Sequence, residues 1–173
     1  MSWSRVGFSS ILLLFFFVVQ ESAISKINFP IAGFSLYLCV VLGLMALEDR
    51  FGAISFGFIA GIILDFSPSS DSPFGKWALI LTLVGYLFSR NRESIGDFTE
   101  RPIAFVLFVT AGATVTLFIF LIIGLILGEN NGNILNNLKT VFGNGLWNLL
   151  FSSILLPIIV KLRALTLTSR ERI

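Results

Sequence analysis

Two acidic residues, Asp65 and Asp71, are the side chains whose setting in this sequence is closest to that of catalytic groups. They lie six residues apart, directly after a long apolar run. Two carboxylates that share one proton are the machinery of an aspartyl protease, which needs the acids to converge from separate helices. Here both acids belong to one turn, and no second acid lies inside another apolar run. The sequence therefore argues against intramembrane proteolysis of this kind.

Other catalytic constellations lack their residues. The chain contains no histidine, which excludes Ser/His/Asp and Cys/His nucleophile systems, HExxH zinc sites and histidine-ligated haem. Its single cysteine, Cys39, has no companion thiol for a disulfide or a metal site. A phosphate-binding glycine loop and the aspartate cluster of alcohol-phosphate transferases are also absent. We therefore expect no enzyme, no metal site and no cofactor.

The segments that carry these residues are apolar. Hydrophobic residues make up 55% of the 173 residues and charged residues 13%, whereas soluble domains carry about 25% charged residues. So little polar surface cannot cover a water-soluble globule. We expect an all-α integral membrane protein in which residues 1–173 form a single transmembrane domain. The formal net charge of +2 gives no reason to expect nucleic acid as a partner.

Six uncharged stretches are the candidate membrane spans. A helix needs about 20 residues to cross the hydrocarbon layer, so three stretches suffice alone and three must include flanking residues. With both termini in the cytoplasm, nine of the twelve basic residues lie on the cytoplasmic side, as the positive-inside rule requires. Only Lys26, Lys76 and Lys139 lie on the outer side. The six predicted transmembrane helices cover about 3–22, 28–47, 51–68, 73–89, 102–127 and 141–160.

The approach to the last span has its own pattern. Residues 129–137 are rich in Asn and Gly, which is typical of an exposed outer loop. Leu135, Leu138 and Phe142 then recur at helical spacing, so we expect this approach to lie along the outer membrane surface. Pro157 has no N–H to donate and is expected to kink the last span.

One face of the third span carries only small residues and an acid. Ala53, Gly57, Gly61 and Asp65 are four residues apart and therefore share a helix face. Small residues at this interval let a second helix approach closely in lipid. Two arrangements remain open. Either this face is a groove for a partner helix, with Asp65 accepting hydrogen bonds at its rim, or it packs within the chain and Asp65 pairs with Lys76.

The central residues also carry a family pattern. A Gly-x-x-x-Gly helix ends in an aspartate, a short turn contains Pro-x-Gly, and an apolar helix closes on Gly-Tyr. In this pattern the chain resembles the rod-shape-determining MreD family. Gln20, near the end of the first span, also fits. The matching positions of the first helix are Gly57, Gly61 and Asp65, and those of the turn and second helix are Pro73, Gly75, Lys76, Gly85 and Tyr86.

The resemblance implies a non-enzymatic, multi-pass subunit of the bacterial cytoplasmic (inner) membrane that belongs to the machinery elongating the cell wall. The implied partner is the single-span protein MreC, with MreB, RodA and a class B penicillin-binding transpeptidase in the wider assembly and membrane lipid around it. The family is also similar in fold to the substrate-binding subunits of energy-coupling-factor transporters, so vitamin-type uptake is the alternative.

The residues give some discrimination between these two functions. A vitamin site needs a polar or aromatic pocket that opens to the outside. The outer half of the spans is nearly all aliphatic and Phe, with few polar or aromatic contacts beyond Asp65, Asn144, Trp147 and Asn148. This composition favours the cell-elongation subunit over the uptake subunit.

Overall fold

The chain forms six α-helices in the part that the structure describes. A computed structural model describes residues 3–27, 34–67, 72–95, 101–129 and 133–166. The all-α class predicted from the sequence is confirmed for these residues. A short 3₁₀ turn, Ile24–Lys26, follows the first helix. The helices are α1 Trp3–Ser22, α2 Leu36–Leu47, α3 Arg50–Asp65, α4 Lys76–Ile95, α5 Pro102–Ile126 and α6 Ile134–Thr166.

Helix α2 is the centre of the bundle. Every residue from Tyr37 to Leu47 is buried. All five other helices contact α2, and around it α1 packs on α3, α3 on α4, α4 on α5, and α5 on α6. A helix that is apolar on all sides lies either in a protein core or in lipid, and the burial of α2 shows that protein covers it. The other helices therefore form a ring around α2.

The bundle has two ends, which we name by the first and last residues of α3. At the Asp65 end, α1 finishes and α4 begins. The Ser67 hydroxyl there donates to Glu21 Oε1 at 2.9 Å, and the Trp77 backbone N–H donates to Asp65. At the Arg50 end, α2 finishes and α3 begins. Successive helices therefore run in alternating directions along the chain.

Helix α2 is shorter than the predicted span 28–47. It begins only at Leu36, and residues 28–33 lie outside the described residues. Its first N–H groups lie among apolar helices, where a donor without an acceptor costs several kcal/mol. Gln20 of α1 provides the acceptor: its Oε1 receives the Leu36 N–H at 2.8 Å and the Tyr37 N–H at 3.4 Å. The fit of Gln20 to the family pattern noted in the sequence thus has a structural reason.

Helix α6 is longer than the predicted span 141–160. It contains 33 residues, about 50 Å of helix, and Pro157 lies inside it. The Asn133 side chain accepts the Leu135 N–H at 2.9 Å, so the helix starts there. Leu135, Leu138 and Phe142 belong to this same continuous helix, and their position along the outer membrane surface stays a prediction.

Two helices of the described part are long and apolar enough to cross a membrane. They are α5 and the segment Leu135–Arg163 of α6. Helix α2 is apolar but has only 12 residues. Six membrane crossings and cytoplasmic termini therefore stay predictions.

We predict that Gln20→Met destabilises the protein by about 1–2 kcal/mol, because the variant keeps the side-chain length but removes the acceptor for the start of α2. Thermal unfolding of the purified protein in detergent measures this loss. Ser22→Ala is the control, since the exposed Ser22 hydroxyl donates to the Val18 carbonyl of its own helix. Equal unfolding temperatures for wild type and Gln20→Met would contradict the prediction.

Candidate functional site

Helices α3 and α4 pack backbone against backbone along the small-residue face. A Cβ atom added at Gly57 would overlap the Leu81 carbonyl, and one added at Gly61 would overlap the Ala78 backbone. Each would approach closer than 3.0 Å, which real Cβ atoms essentially never do. The two helices therefore keep this separation only because these positions carry no side chain.

Gly85 makes the same contact from the opposite helix. A Cβ at Gly85 would lie 2.6 Å from the carbonyl oxygen of Ala53, which is itself fully buried. The methyl end of Met45 from α2 would lie 3.2 Å from a Cβ at Gly57 and 3.0 Å from one at Gly85. The flexible Met45 side chain of the central helix thus fills the shallow space beside the contact between α3 and α4.

Of the second arrangement that the sequence left open, the structure has the packing within the chain but not the Asp65–Lys76 pair. Ala53, Gly57 and Gly61 are buried against α4 of the same chain, and α4 occupies the space that a partner helix would need.

The Asp65 carboxylate caps the start of α4. Its Oδ1 accepts the Trp77 N–H at 3.0 Å and its Oδ2 accepts the Ala78 N–H at 3.1 Å. These are N–H groups of the first turn of α4, which have no partner within the helix. The positive end of the helix dipole also stabilises a negative charge at this position. Both carboxylate oxygens are therefore used in holding α3 to α4.

A tight turn leads into α4. The Lys76 N–H donates to the Pro73 carbonyl at 3.2 Å, and Gly75 between them has a φ of +92°. A positive φ at the third residue of such a turn favours glycine, because other residues are strained there. Pro73 and Gly75 therefore place the N–H groups of α4 within reach of Asp65. Asp71 lies outside the described residues.

The predicted pairing of Asp65 with Lys76 is wrong. The buried Lys76 ammonium pairs instead with Glu129 Oε2, beyond the end of α5, and lies 3.6 Å from the centre of the Phe120 ring. Gly128, with a φ of +75°, ends α5 and turns Glu129 back so that its N–H bonds the Gly124 carbonyl. Asp65 accepts hydrogen bonds from backbone N–H groups, and Lys76 pairs with an acid that follows α5.

Tyr86 marks the Arg50 end of the same hairpin. The Arg50 guanidinium lies 5.3 Å from the centre of the Tyr86 ring, a cation–π distance. The first residue of α3 thus contacts the last matching position of the family pattern. The α3–α4 hairpin is joined at both ends and along its length.

The polar residues of α6 interact with one another. Asn148, fully buried, donates through Nδ2 to the Asn144 carbonyl at 2.8 Å and to Asn144 Oδ1 at 2.6 Å. This arrangement supplies a local hydrogen bond inside an apolar bundle. Among the described residues, no group of three or more Asp, Glu, Cys or His side chains could hold a metal ion.

A comparison with protein families identifies the family of this chain. The model of the family described as rod shape-determining protein MreD matches residues 4–165 of the 173-residue chain. The chain belongs to the MreD family. It is therefore a membrane-associated protein of a family that determines rod shape. No curated protein and no solved structure matches the chain.

Two contacts escaped the sequence analysis. The pairing of Lys76 with Glu129 joins residues 53 positions apart and has no periodic signal. The bond from the Tyr37 hydroxyl to the Ala60 carbonyl, 3.0 Å long, spans 23 positions. A buried tyrosine needs a partner for its hydroxyl, but the sequence does not say which carbonyl provides it. Both partners depend on the three-dimensional arrangement alone.

We predict that Asp65→Ala lowers stability by about 1–2 kcal/mol, whereas Asp65→Asn loses much less because the amide oxygen still caps α4. Thermal unfolding in detergent and hydrogen exchange at the Trp77 and Ala78 amides measure the effect. An Ala variant as stable and as protected at these amides as the Asn variant would show that Asp65 is not the cap.

A second prediction concerns the ion pair. Lys76→Met leaves Glu129 without its cation and is expected to cost about 3 kcal/mol or less, since the Glu129 side chain is 21% exposed. The double reversal Lys76→Glu with Glu129→Lys should recover part of this loss in unfolding experiments. Lys76→Glu with Asp65→Lys is the matched control and should recover none. If only the control recovered stability, Lys76 would pair with Asp65, as one of the two arrangements left open by the sequence required.

Proposed function

We propose that this chain is a non-enzymatic, multi-pass subunit of the bacterial cell-elongation machinery in the cytoplasmic membrane. In this function it binds an MreC-like single-span protein and helps to position peptidoglycan synthesis. The observation that carries the proposal is that the residues of the family pattern hold α3 and α4 together. Gly57, Gly61 and Gly85 let the backbones touch, and Asp65 caps α4.

The hydrogen bonds of the Asp65 carboxylate favour a binding function over catalysis. A general acid or base needs a carboxyl group that can reach a substrate proton. Both oxygens of Asp65 accept backbone N–H groups of α4, and the next cation along the chain, Lys76, is paired with Glu129. These groups stabilise the hairpin, so neither Asp65 nor Lys76 is free in the described part of the turn.

The proposed orientation follows from the charges. With both termini in the cytoplasm, Arg50 and Arg90 lie on the cytoplasmic side, and Lys76 and Lys139 on the outer side, in accordance with the positive-inside rule. The Asp65 end of the bundle then faces outward, toward the compartment where the wall is built.

The partner surface must lie away from the small-residue face. Ala53, Gly57, Gly61 and Asp65 were the predicted partner groove, and α4 covers them. We propose that this packing fixes the shape of the bundle, whose outer surface then contacts the partner. MreB, RodA and a class B penicillin-binding transpeptidase belong to the wider assembly in this proposal.

Vitamin-type uptake remains the alternative function. It would need polar side chains that are available to a ligand at the Asp65 end. All four side chains that the sequence offers make contacts within the chain, and the Trp147 ring lies 5.8 Å from that of Phe151. Asn144 bonds Asn148, and Asp65 bonds the start of α4. This use of the polar groups favours the elongation subunit.

The test is affinity purification of the tagged full chain from its native membrane in a gentle detergent, followed by mass spectrometry. We expect recovery of an MreC-like single-span protein together with wall-synthesis enzymes, and no such recovery with an unrelated tagged multi-pass protein. Recovery of paired cytoplasmic ATPases with a transmembrane coupling subunit would overturn the proposal and establish uptake instead.

A further inference from the structure

Three buried polar atoms of α5 and α6 have no hydrogen-bond partner among the described residues. They are Thr110 Oγ1 on α5 and Asn148 Oδ1 and Ser152 Oγ on α6. The whole side chains of Asn148 and Ser152 are 0% exposed, so bulk water does not reach them. A buried polar atom without a partner is costly in apolar surroundings. Each of these atoms therefore needs a partner beyond the contacts described above.

The two hydroxyls do not use the partner that is nearest to them. A serine or threonine in a helix commonly donates to the carbonyl four residues earlier. The Thr114 and Thr116 hydroxyls of α5 do so at 3.0 and 2.7 Å, and the Ser153 hydroxyl of α6 does so at 3.1 Å. Thr110 and Ser152 do not. Their hydroxyls are therefore available to a group outside their own helix.

The orientation of the Asn148 amide is fixed by Asn144. Asn148 Nδ2 donates to the Asn144 carbonyl at 2.8 Å and to Asn144 Oδ1 at 2.6 Å. Both of these oxygens accept hydrogen bonds and cannot donate them, so the Asn148 amide cannot turn over without losing both bonds. The other atom of the amide, Oδ1, is therefore an acceptor that needs a donor from elsewhere.

Helix geometry places the three side chains on facing sides of α5 and α6. A Cβ atom at Gly145 would lie 2.9 Å from Thr114 Oγ1, so the two helices face each other at this pair. Asn148 and Ser152 follow Gly145 by about one and two turns and share its side of α6. Thr110 precedes Thr114 by one turn and shares its side of α5. We call Thr110, Asn148 and Ser152 the polar seam.

The spacing within the polar seam suits one small molecule. Asn148 and Ser152 are four residues apart, which puts their Cβ atoms about 5–6 Å from each other. A water molecule with hydrogen bonds of about 2.8 Å joins atoms up to about 5.5 Å apart. Because side chains lean toward the start of their own helix and α5 and α6 are antiparallel, Thr110 and Ser152 lean toward each other. One molecule can thus reach both helices.

The chemistry of the three atoms specifies water as this molecule. The Asn148 oxygen only accepts, whereas the Thr110 and Ser152 hydroxyls both donate and accept. Water has two hydrogens to donate and two lone pairs, so it can bond all three, and buried water typically makes about three such bonds. The seam carries no charged side chain that would select an ion, and its burial leaves no opening for a larger ligand.

We infer that the polar seam binds one water molecule, which donates to Asn148 Oδ1 and hydrogen-bonds the hydroxyls of Thr110 and Ser152. The water joins α5 to α6 by directional bonds in an interface whose other contacts are largely apolar. This inference goes beyond the proposed function and does not depend on it, since it concerns the bundle whichever partner the chain binds.

An experimental structure of the full chain in lipid, at a resolution that shows water, tests the site directly. We expect one isolated density peak within about 3.2 Å of Asn148 Oδ1 and of both hydroxyl oxygens. Thr110 and Ser152 hydroxyls bonded to carbonyls of their own helices, with no density between them, would overturn the inference. An ion or a longer molecule in this place would overturn it as well.

A double-mutant cycle tests the same site in detergent. Thr110→Val and Ser152→Ala should each lower the unfolding temperature of the full chain, and the double variant should lose less than the sum, because both changes remove one water. Ser153→Ala is the matched control and should change the temperature little, since this exposed hydroxyl donates to its own helix. Additive losses would contradict a shared water. So would an unchanged or higher unfolding temperature for Ser152→Ala, which is the result for a hydroxyl that had no partner.

Discussion

The close contact between the α3 and α4 backbones is the constraint on which the rest of the bundle depends. Three glycines remove the side chains that would separate the helices, and each faces backbone atoms, which cannot move aside as a side chain can. Because lipid provides no hydrophobic drive for helices to associate, such close packing is a main source of their stability. It also fixes where Asp65 and Met45 can lie, and through Met45 it fixes how the hairpin sits on the central helix α2.

The second constraint is that polar groups inside an apolar bundle must find partners. Asp65 accepts the first N–H groups of α4, Gln20 accepts those of α2, and Lys76 lies against Glu129. Asp65 and Gln20 accept the unpaired N–H groups at the start of a neighbouring helix, so these helices can begin without water. The Lys76–Glu129 pair neutralises two charges that lie close to helix ends. These polar contacts also define which helices are neighbours, which non-directional apolar packing would leave less certain.

The sequence predicted the helical class and the small-residue face of α3, and helices α1 and α5 cover nearly the same residues as two of the stretches predicted to span the membrane. It could not choose between a partner and α4 as the occupant of that face, because helical spacing shows that a face is smooth but not what covers it. It missed the true partner of Lys76 because Glu129 is distant in sequence and is brought near by the turn at Gly128. The apolar run that predicted span 28–47 does not mark where α2 begins: the helix starts at Leu36 because the Ser35 hydroxyl accepts the Leu38 N–H and Gln20 accepts the Leu36 and Tyr37 N–H groups.

The same structure explains why the family pattern matters for the shape of the bundle. Gly57, Gly61, Gly85 and Asp65 all lie on the inner face of the hairpin, where they hold α3 to α4.

The most direct test of this account is the unfolding temperature of the isolated chain, purified without partners, with Gly61→Leu. Ala111→Leu on the exposed surface of α5 is the control for added bulk. We predict that Gly61→Leu unfolds at a clearly lower temperature than wild type, by an amount that corresponds to about 1–3 kcal/mol, while Ala111→Leu does not. An isolated Gly61→Leu chain as stable as wild type would contradict the account. If the same variant also failed to recover a partner from the native membrane, the small-residue face would be the binding site of a partner helix.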